Sequence, residues 1–466
     1  MRTIAIIGGG FCGTMTAVHL MKRVTNPLQI IIINTHFPLI KGIAYSTNYN
    51  GHLLNVPVES ISALPEQSDH FLNWIQLQDD FKSIPLQTLK DTFAPRKVFA
   101  RYLNTIWKEA LTSKHQQVGL QLIEDEVTNV TRDGEVLNLE LQNSAPIVAD
   151  YVVLATGNAI PRNPPLADLS FYNSNLYYKN PWNDVCLQDL RSERDVLIIG
   201  NSLTMIDAVI SLLENGFSKN IYTVSPHGFA IMPDYPVPPY DMDILEDISQ
   251  PYRLYDLVNT INKHMKRSKR LGISPIAVVN SLRHKLQDIW IGFSLEDKQR
   301  FLKRISPLWN AWRHRTPAAM YQKISNLINS GKLIPLTGRM RSAIDKGGYA
   351  EVIIADKKAG TEKFLEVERV INCTGSQIDV RLPGTLLNNM HNNGLITADP
   401  LNIALNVDID TCNVIDARGE KVPNIFTLGN NLKGMIWETT GIPEMRVQAV
   451  NVADSLVELL AKEVTT

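Results

Sequence analysis

Short, unbroken apolar runs recur along the chain, and most end on glycine or another small residue. The runs at 4–7, 30–33, 151–154, 195–199, 221–224, 367–371 and 424–428 show little polar alternation. That texture predicts strands buried on both faces of parallel sheets. Apolar residues at helical spacing alternate with them: Ala17 and Leu20, then Phe71, Leu72 and Trp74, then Phe99, Tyr102, Leu103 and Ile106, then 206–213, and a terminal stretch from Pro443 to Leu460. Alternation over 118–130 and 136–141, around Asp133-Gly134, predicts a small antiparallel ribbon. Strand texture resumes at 333–336 and 350–354, on either side of Gly347-Gly348, whereas 236–330 has little strand pattern and many helical runs. The pattern predicts an α/β fold: two Rossmann-like dinucleotide-binding domains with a mainly helical insertion. The first domain takes 1–185 and 366–466, the second 186–235 and 331–365, and the insertion 236–330.

Gly8, Gly10 and Gly13 stand at the spacing G-x-G-x-x-G, directly after the first apolar run and directly before a helical pattern. The first glycine permits a tight turn, the second lets backbone approach a diphosphate, and the third lets helix and strand pack closely. The helix amino terminus would face the phosphates. The next strand should end in an acid that grips the ribose, and it ends in Asn34, whose amide offers one neutral acceptor oxygen. The junction repeats at Gly200, where Ser202 and Met205 replace the second and third glycines. The strand after it ends at His227, where an NADP site would want arginine. This half reads either as a working nicotinamide site or as a purely structural repeat. Ala155-Thr156-Gly157 and the near copy Cys373-Thr374-Gly375 put small residues just beyond buried strands, where a backbone or ligand can pass closely.

Charge and composition remove partners rather than add them. The 466 residues carry Lys+Arg 46 against Asp+Glu 47, net -1, which gives no electrostatic reason to expect nucleic acid or an anionic membrane. No apolar stretch approaches the roughly 20 residues that span a bilayer. Cys12, Cys186, Cys373 and Cys412 show neither C-x-x-C nor zinc spacing, so no metal and no redox dithiol is expected, and a soluble, cytoplasmic protein is. The basic cluster 263–270 reads as a solvated helix face. Arg313, His314 and Arg315 interleave with Trp309 and Trp312, and are candidates to hold an anionic substrate or a phosphate. Ala94-Pro95-Arg96 reads as a helix start, and Thr439 or Thr440 as the cap of the terminal helix.

The segments I-I-G-G-G-F-C-G, G-I-A-Y-S-T, H-L-L-N-V-P, F-A-P-R, A-T-G-N, G-N-S-L-T-M-I-D, W-R-H-R-T-P, N-C-T-G and W-E-T-T-G-I-P-E-M-R follow one another along nearly the whole chain. In this order they resemble the two-dinucleotide-binding-domain flavoproteins, and most closely a bacterial family of FAD/NAD(P)-binding proteins distantly similar to flavin-dependent N-hydroxylating and Baeyer–Villiger monooxygenases. The resemblance implies FAD in the first domain, held by Gly8, Gly10, Gly13, Asn34, the Val127 strand and the Ala155, Thr156, Gly157 turn. Flavin-side contacts would come from Asn55, Arg96, Gly429, Glu438, Thr439 and Thr440. It implies NAD(P)H in the second domain, at Gly200, Ser202, Leu203 and Thr204. The expected activity is NAD(P)H-driven oxidoreduction through the flavin, monooxygenase-like, on a small molecule, with no catalytic acid or base assignable and the insertion as lid or substrate wall. The competing expectation is a non-catalytic protein that uses the same dinucleotides for structure or sensing. Asn430, where an aspartate often meets the ribityl chain, departs from the enzyme pattern alongside Asn34 and His227.

Overall fold

A computed structural model describes residues 1–35 and 39–464. Strand β1 (Arg2–Ile7) runs through the Gly8–Gly10 turn into the helix Phe11–Arg23, and β2 (Leu28–Ile33) and β3 (Val118–Ile123) pair beside it in parallel. Strands β4 (Val127–Asp133), β5 (Val136–Leu141) and β6 (Ile147–Ala149) form a separate antiparallel ribbon, after which β7 (Tyr151–Leu154) returns to the other side of β1. The run 118–130 is thus two strands in two sheets. Asp125 divides it, its carboxylate accepting from Glu126 N at 2.8 Å and from Asn143 N at 3.1 Å, which turns the chain out of the parallel sheet.

The second sheet contains β8 (Tyr177–Tyr178), β9 (Asp195–Ile199) and β10 (Ile221–Ser225). Strand β11 (Pro233–Asp234) leads into the helical insertion and pairs with β12 (Thr316–Pro317), which leaves it. Strands β13 (Leu333–Thr337), β14 (Arg339–Asp345), β15 (Ala350–Asp356) and β16 (Thr361–Asn372) complete the sheet, β9, β10 and β13 in parallel and β14 to β16 as an antiparallel meander. β14 carries no strong apolar run and is absent from the pattern reading. β16 pairs with β15 at one end and with β9 and β8 at the other, so the boundary placed at 365/366 falls inside one strand. The helix Ala318–Asn329 buries Met320 and Ile324 in the core of this second domain rather than in the insertion.

The chain then returns to the first sheet. β17 (Asn413–Ile415) and β18 (Lys421–Thr427) close it in the order β17-β18-β7-β1-β2-β3, and the helix Ile442–Val464 packs on Phe11–Arg23. The insertion has a core of its own, built from Leu254, Val278, Ile289, Trp290 and Phe301, and the first domain contributes the buried Trp437 to it, with the partly buried Leu401 and Ile403 packed alongside. Trp437 stacks on Trp290 with centroids 4.8 Å apart and meets Phe301 edge-on at 5.3 Å. Trp290 Nε1 also donates to Gly434 O at 3.0 Å. The insertion, expected as lid or substrate wall, is latched to the carboxy-terminal turn. Among the described residues, no helix is long and apolar enough to cross a membrane.

Candidate cofactor and substrate site

Gly8 and Gly200 occupy equivalent places. Gly8 has φ +110°, and a Cβ on it would lie 2.1 Å from Ala155 O; Gly200 has φ +111°, and its Cβ would lie 2.5 Å from Cys373 O. The small residues after β7 and β16 are therefore the backbone against which each glycine turn is pressed. Ala155-Thr156-Gly157 and Cys373-Thr374-Gly375 are one device used twice. Gly13 is equally constrained, since a Cβ there would meet Gly8 O at 2.0 Å. The first helical bond runs from Thr14 N to Gly10 O at 2.9 Å, which leaves the amides of Phe11, Cys12 and Gly13 as the free ends of the helix. Gly10 faces Gly42 of the G-I-A-Y-S-T segment, and a Cβ on Gly42, at φ +57°, would approach the Gly10 Cα to 2.9 Å. Gly42 is a constraint the sequence alone did not single out, although it opens the G-I-A-Y-S-T segment. A glycine-only turn beneath unpaired helix amides fits a diphosphate, and no side chain emerges from it.

Asn34 sits at the end of β2 and its Oδ1 accepts from Gly9 N at 3.0 Å, so its oxygen braces the turn itself. Val127 opens the ribbon and is buried. Thr156 Oγ1 accepts from Asn431 Nδ2 at 3.1 Å, and Asn431 also reaches Thr427 Oγ1 at 2.9 Å, which ties the β7 end to the β18 end. Gly429, at φ +72°, lies against the first helix: a Cβ on it would be 3.1 Å from Cys12 Sγ. Its amide donates to Gln448 Oε1 at 2.8 Å, while Thr439 donates to its carbonyl at 3.3 Å and accepts from Gln448 Nε2 at 2.6 Å. Thr439 is thereby committed to the Gly429 turn and does not cap the terminal helix; Thr440 is exposed, and Gly441 O receives the first helical amides. Asn430 donates to Ser376 Oγ at 3.2 Å. Burial pushes the Cys12 thiol up to about 12, so it is an inert packing group.

The H-L-L-N-V-P and F-A-P-R segments are paired. Leu54 N donates to Ala94 O at 2.9 Å and Arg96 N to His52 O at 2.8 Å. Arg96, expected against the flavin, gives Nε to Leu53 O at 3.0 Å and pairs through Nη1 with Asp207 Oδ2 at 2.8 Å. Asp207 closes G-N-S-L-T-M-I-D on the helix Leu203–Glu214, so this ion pair joins the two nucleotide domains. His52 reinforces the joint: Nε2 meets Ser211 Oγ at 2.8 Å and Nδ1 meets Thr47 Oγ1 at 2.7 Å, and burial lowers its pKa. Asn55, Arg96, Leu203 and Asp207 line one cleft between the domains together with Thr316 and Met320. Asp207 and His52 were missed because their role needs a partner more than 100 residues away. Ser202 is exposed at the start of its helix, beside Thr204. His227 is exposed and stacks on Phe229 at 5.5 Å.

Glu438 has a left-handed backbone, φ +58°. Its carboxylate receives Trp309 Nε1–H at 3.3 Å, with Arg313 Nη2 at 3.4 Å and His314 Nε2 at 3.9 Å. The W-R-H-R and W-E-T-T segments therefore meet. Arg315 turns elsewhere, pairing with Asp234 at 2.9 Å and bonding Asn280 Oδ1.

Two glycine turns, each seated on a small-residue strand end, and a carboxy-terminal segment that closes on the first of them define the fold of the two-dinucleotide-binding-domain flavoproteins. Residues 5–159 match the family described as FAD-NAD(P)-binding. The whole chain is similar in fold to the reduced ornithine hydroxylase of Pseudomonas aeruginosa, at 14% identity and TM-score 0.66 over 99% of this chain and 100% of that one. It is likewise similar to the ornithine N-hydroxylase of Kutzneria sp. 744, solved with reduced FAD, NADP+ and L-ornithine, at 12% identity and TM-score 0.65 over 98% and 99%. The L-lysine 6-monooxygenase of Pseudomonas syringae aligns at 14% identity and TM-score 0.64 over 98% and 99%. No curated protein matches the sequence significantly.

Proposed function

We propose that this chain is an FAD-dependent oxidoreductase reduced by NAD(P)H and monooxygenase-like toward a small organic substrate. The observation that carries the reading is the meeting of Gly429 and Cys12, which brings the diphosphate turn and the carboxy-terminal segment onto one site. FAD would supply the redox chemistry, taking a hydride from NAD(P)H and passing electrons to oxygen or substrate. The turn at Gly8, Gly10 and Gly13 and the helix amides after it would bind the diphosphate. Gln448 and Thr439 fix the Gly429 turn, and the terminal helix, which begins three residues after Thr439, would direct its positive end at the same site. Gly200, Ser202, Leu203 and Thr204 would receive the nicotinamide nucleotide, at the mouth of the interdomain cleft. The latched insertion would wall off the substrate and keep water out. The hydroxylases and the lysine monooxygenase of similar fold support the reaction class.

One observation favours the non-catalytic reading: the Asn34 oxygen, at the position where a ribose-binding acid is expected, already accepts from Gly9 N–H inside the turn. Anaerobic stopped-flow mixing of the FAD-loaded protein with NADPH or NADH decides between them. Flavin bleaching within seconds is expected, and an unchanged yellow spectrum would leave a binding protein rather than an enzyme.

A further inference from the structure

Around Glu438 the cations outnumber the carboxylates. Arg283 Nη2 lies 3.9 Å from Glu444, Arg313 Nη2 lies 3.4 Å from Glu438, and Lys433 Nζ lies over the Trp437 ring at 5.5 Å. Arg315 is neutralised by Asp234 and does not enter the sum. Burial lowers the pKa of His314 and favours its neutral form. Burial also lowers the pKa of Lys433, against the pull of Glu438; with Lys433 protonated, Arg283, Arg313 and Lys433 against Glu438 and Glu444 leave one positive charge. Arg313 Nε–H is moreover buried and has no hydrogen-bond partner, a state native proteins rarely leave unused. The left-handed Glu438 backbone holds one carboxylate here at a conformational cost, as functional sites do. The group is reachable from one edge, since the side chains of Arg283 and Arg313 are 33% and 18% exposed.

We propose that Arg313, with Arg283 and Lys433, forms a subsite for the carboxylate of a small monoanionic substrate. One unmatched charge compensates a monoanion in full, whereas a dianion such as a phosphate monoester would carry a second, uncompensated charge into a partly buried site. The free Nε–H and a terminal N–H of Arg313 offer the side-on fork that a carboxylate accepts. That the bound carboxylate belongs to a substrate rests on the flavoenzyme reading; that the site takes a carboxylate does not.

The test is a titration of the FAD-loaded protein, and in parallel of the protein without added FAD, with propionate, propionamide and inorganic phosphate at constant ionic strength. Intrinsic tryptophan fluorescence, to which Trp309 beside Glu438 contributes, is the readout. A saturable change is expected with propionate, none with propionamide, and phosphate binding at least about tenfold weaker. Arg313→Gln should weaken propionate by about tenfold or more, as loss of a charge-assisted bond predicts. Arg283→Gln, should the first variant not fold, should weaken it in the same direction, and Arg341→Gln on the far sheet should leave it unchanged. Propionate and propionamide acting alike, phosphate binding as tightly, or variants indistinguishable from the parent would overturn the proposal. A flavin that NAD(P)H reduces in a protein blind to propionate sinks this inference alone. Carboxylate binding without FAD uptake upholds it and sinks the flavoenzyme reading.

Discussion

Single residues in this protein are constrained by backbone as much as by side chains. Gly8 combines φ +110° with a strand-end carbonyl 2.1 Å from where a Cβ would stand, so neither rotation nor a small shift relieves it. Gly8→Ala should cost at least about 1–3 kcal/mol of stability and abolish FAD retention, read by thermal denaturation and by the visible spectrum after gel filtration. Gly134, in an open turn with nothing within 4 Å of a Cβ, should tolerate alanine with only the cost of its φ of +60°. A second residue-scale expectation concerns pH. His19 is 2% exposed, its Nε2 has no partner, and burial first, then Arg23, lowers its pKa from 6.5 to about 4. Below 6.5 the unfolded chain takes up a proton that the folded chain refuses. Stability should therefore fall as pH drops from 6.5 to 4, by up to about 3 kcal/mol, and level off below. Urea denaturation across that window should show the slope, and His19→Gln should reduce it, leaving the part contributed by His52 and His314, whose pKa values burial also lowers.

Between elements, the decisive contact is Arg96 with Asp207, whose side chains are 15% and 9% exposed. Removing one partner leaves the other charge buried, so Asp207→Ala should destabilise by about 3–5 kcal/mol. Arg96→Met combined with Asp207→Leu should recover most of that, because the cost lies in the uncompensated ion rather than in the lost attraction. A double-mutant cycle by equilibrium denaturation measures the coupling, and a near-zero value would mean the joint depends on His52 and packing instead. The elements themselves were largely legible. Apolar runs such as 30–33 and 195–199 mark strands because burial on both faces leaves no polar alternation, and the glycine turns announce themselves by spacing. Legibility failed where local pattern and long-range pairing diverge. The run 118–130 reads as one alternating stretch apart from the acidic triplet Glu124-Asp125-Glu126, and it is the long-range pairing, with the hydrogen bonds from Glu126 and Asn143 to Asp125, that shows it changes sheets there. Arg96 reads as a helix start, which it is, while its partner is supplied by another domain. The site was half legible for the same reason: W-R-H-R and W-E-T-T were each visible, but their meeting at Glu438 depends on how the insertion docks.

At the scale of the molecule, Trp437 makes the insertion inseparable from the first domain. Trp437→Ala should remove its stacks with Trp290 and Phe301 at a cost of about 3–5 kcal/mol and free the insertion's edge. Limited proteolysis should then cut within 236–317 while the nucleotide domains persist; unchanged resistance would show that the latch lies elsewhere. The strand order of the first sheet carries a further implication, for biosynthesis. β18, which pairs in parallel with β7, lies some 270 positions after it in the sequence, whereas every strand of the second sheet has emerged by Asn372. As the nascent polypeptide leaves the ribosome, the inner domain can mature while the outer one still waits for its last partners. Cofactor uptake is then a late event in translation, and chains halted before Gly429 should emerge colourless however much FAD the cell contains.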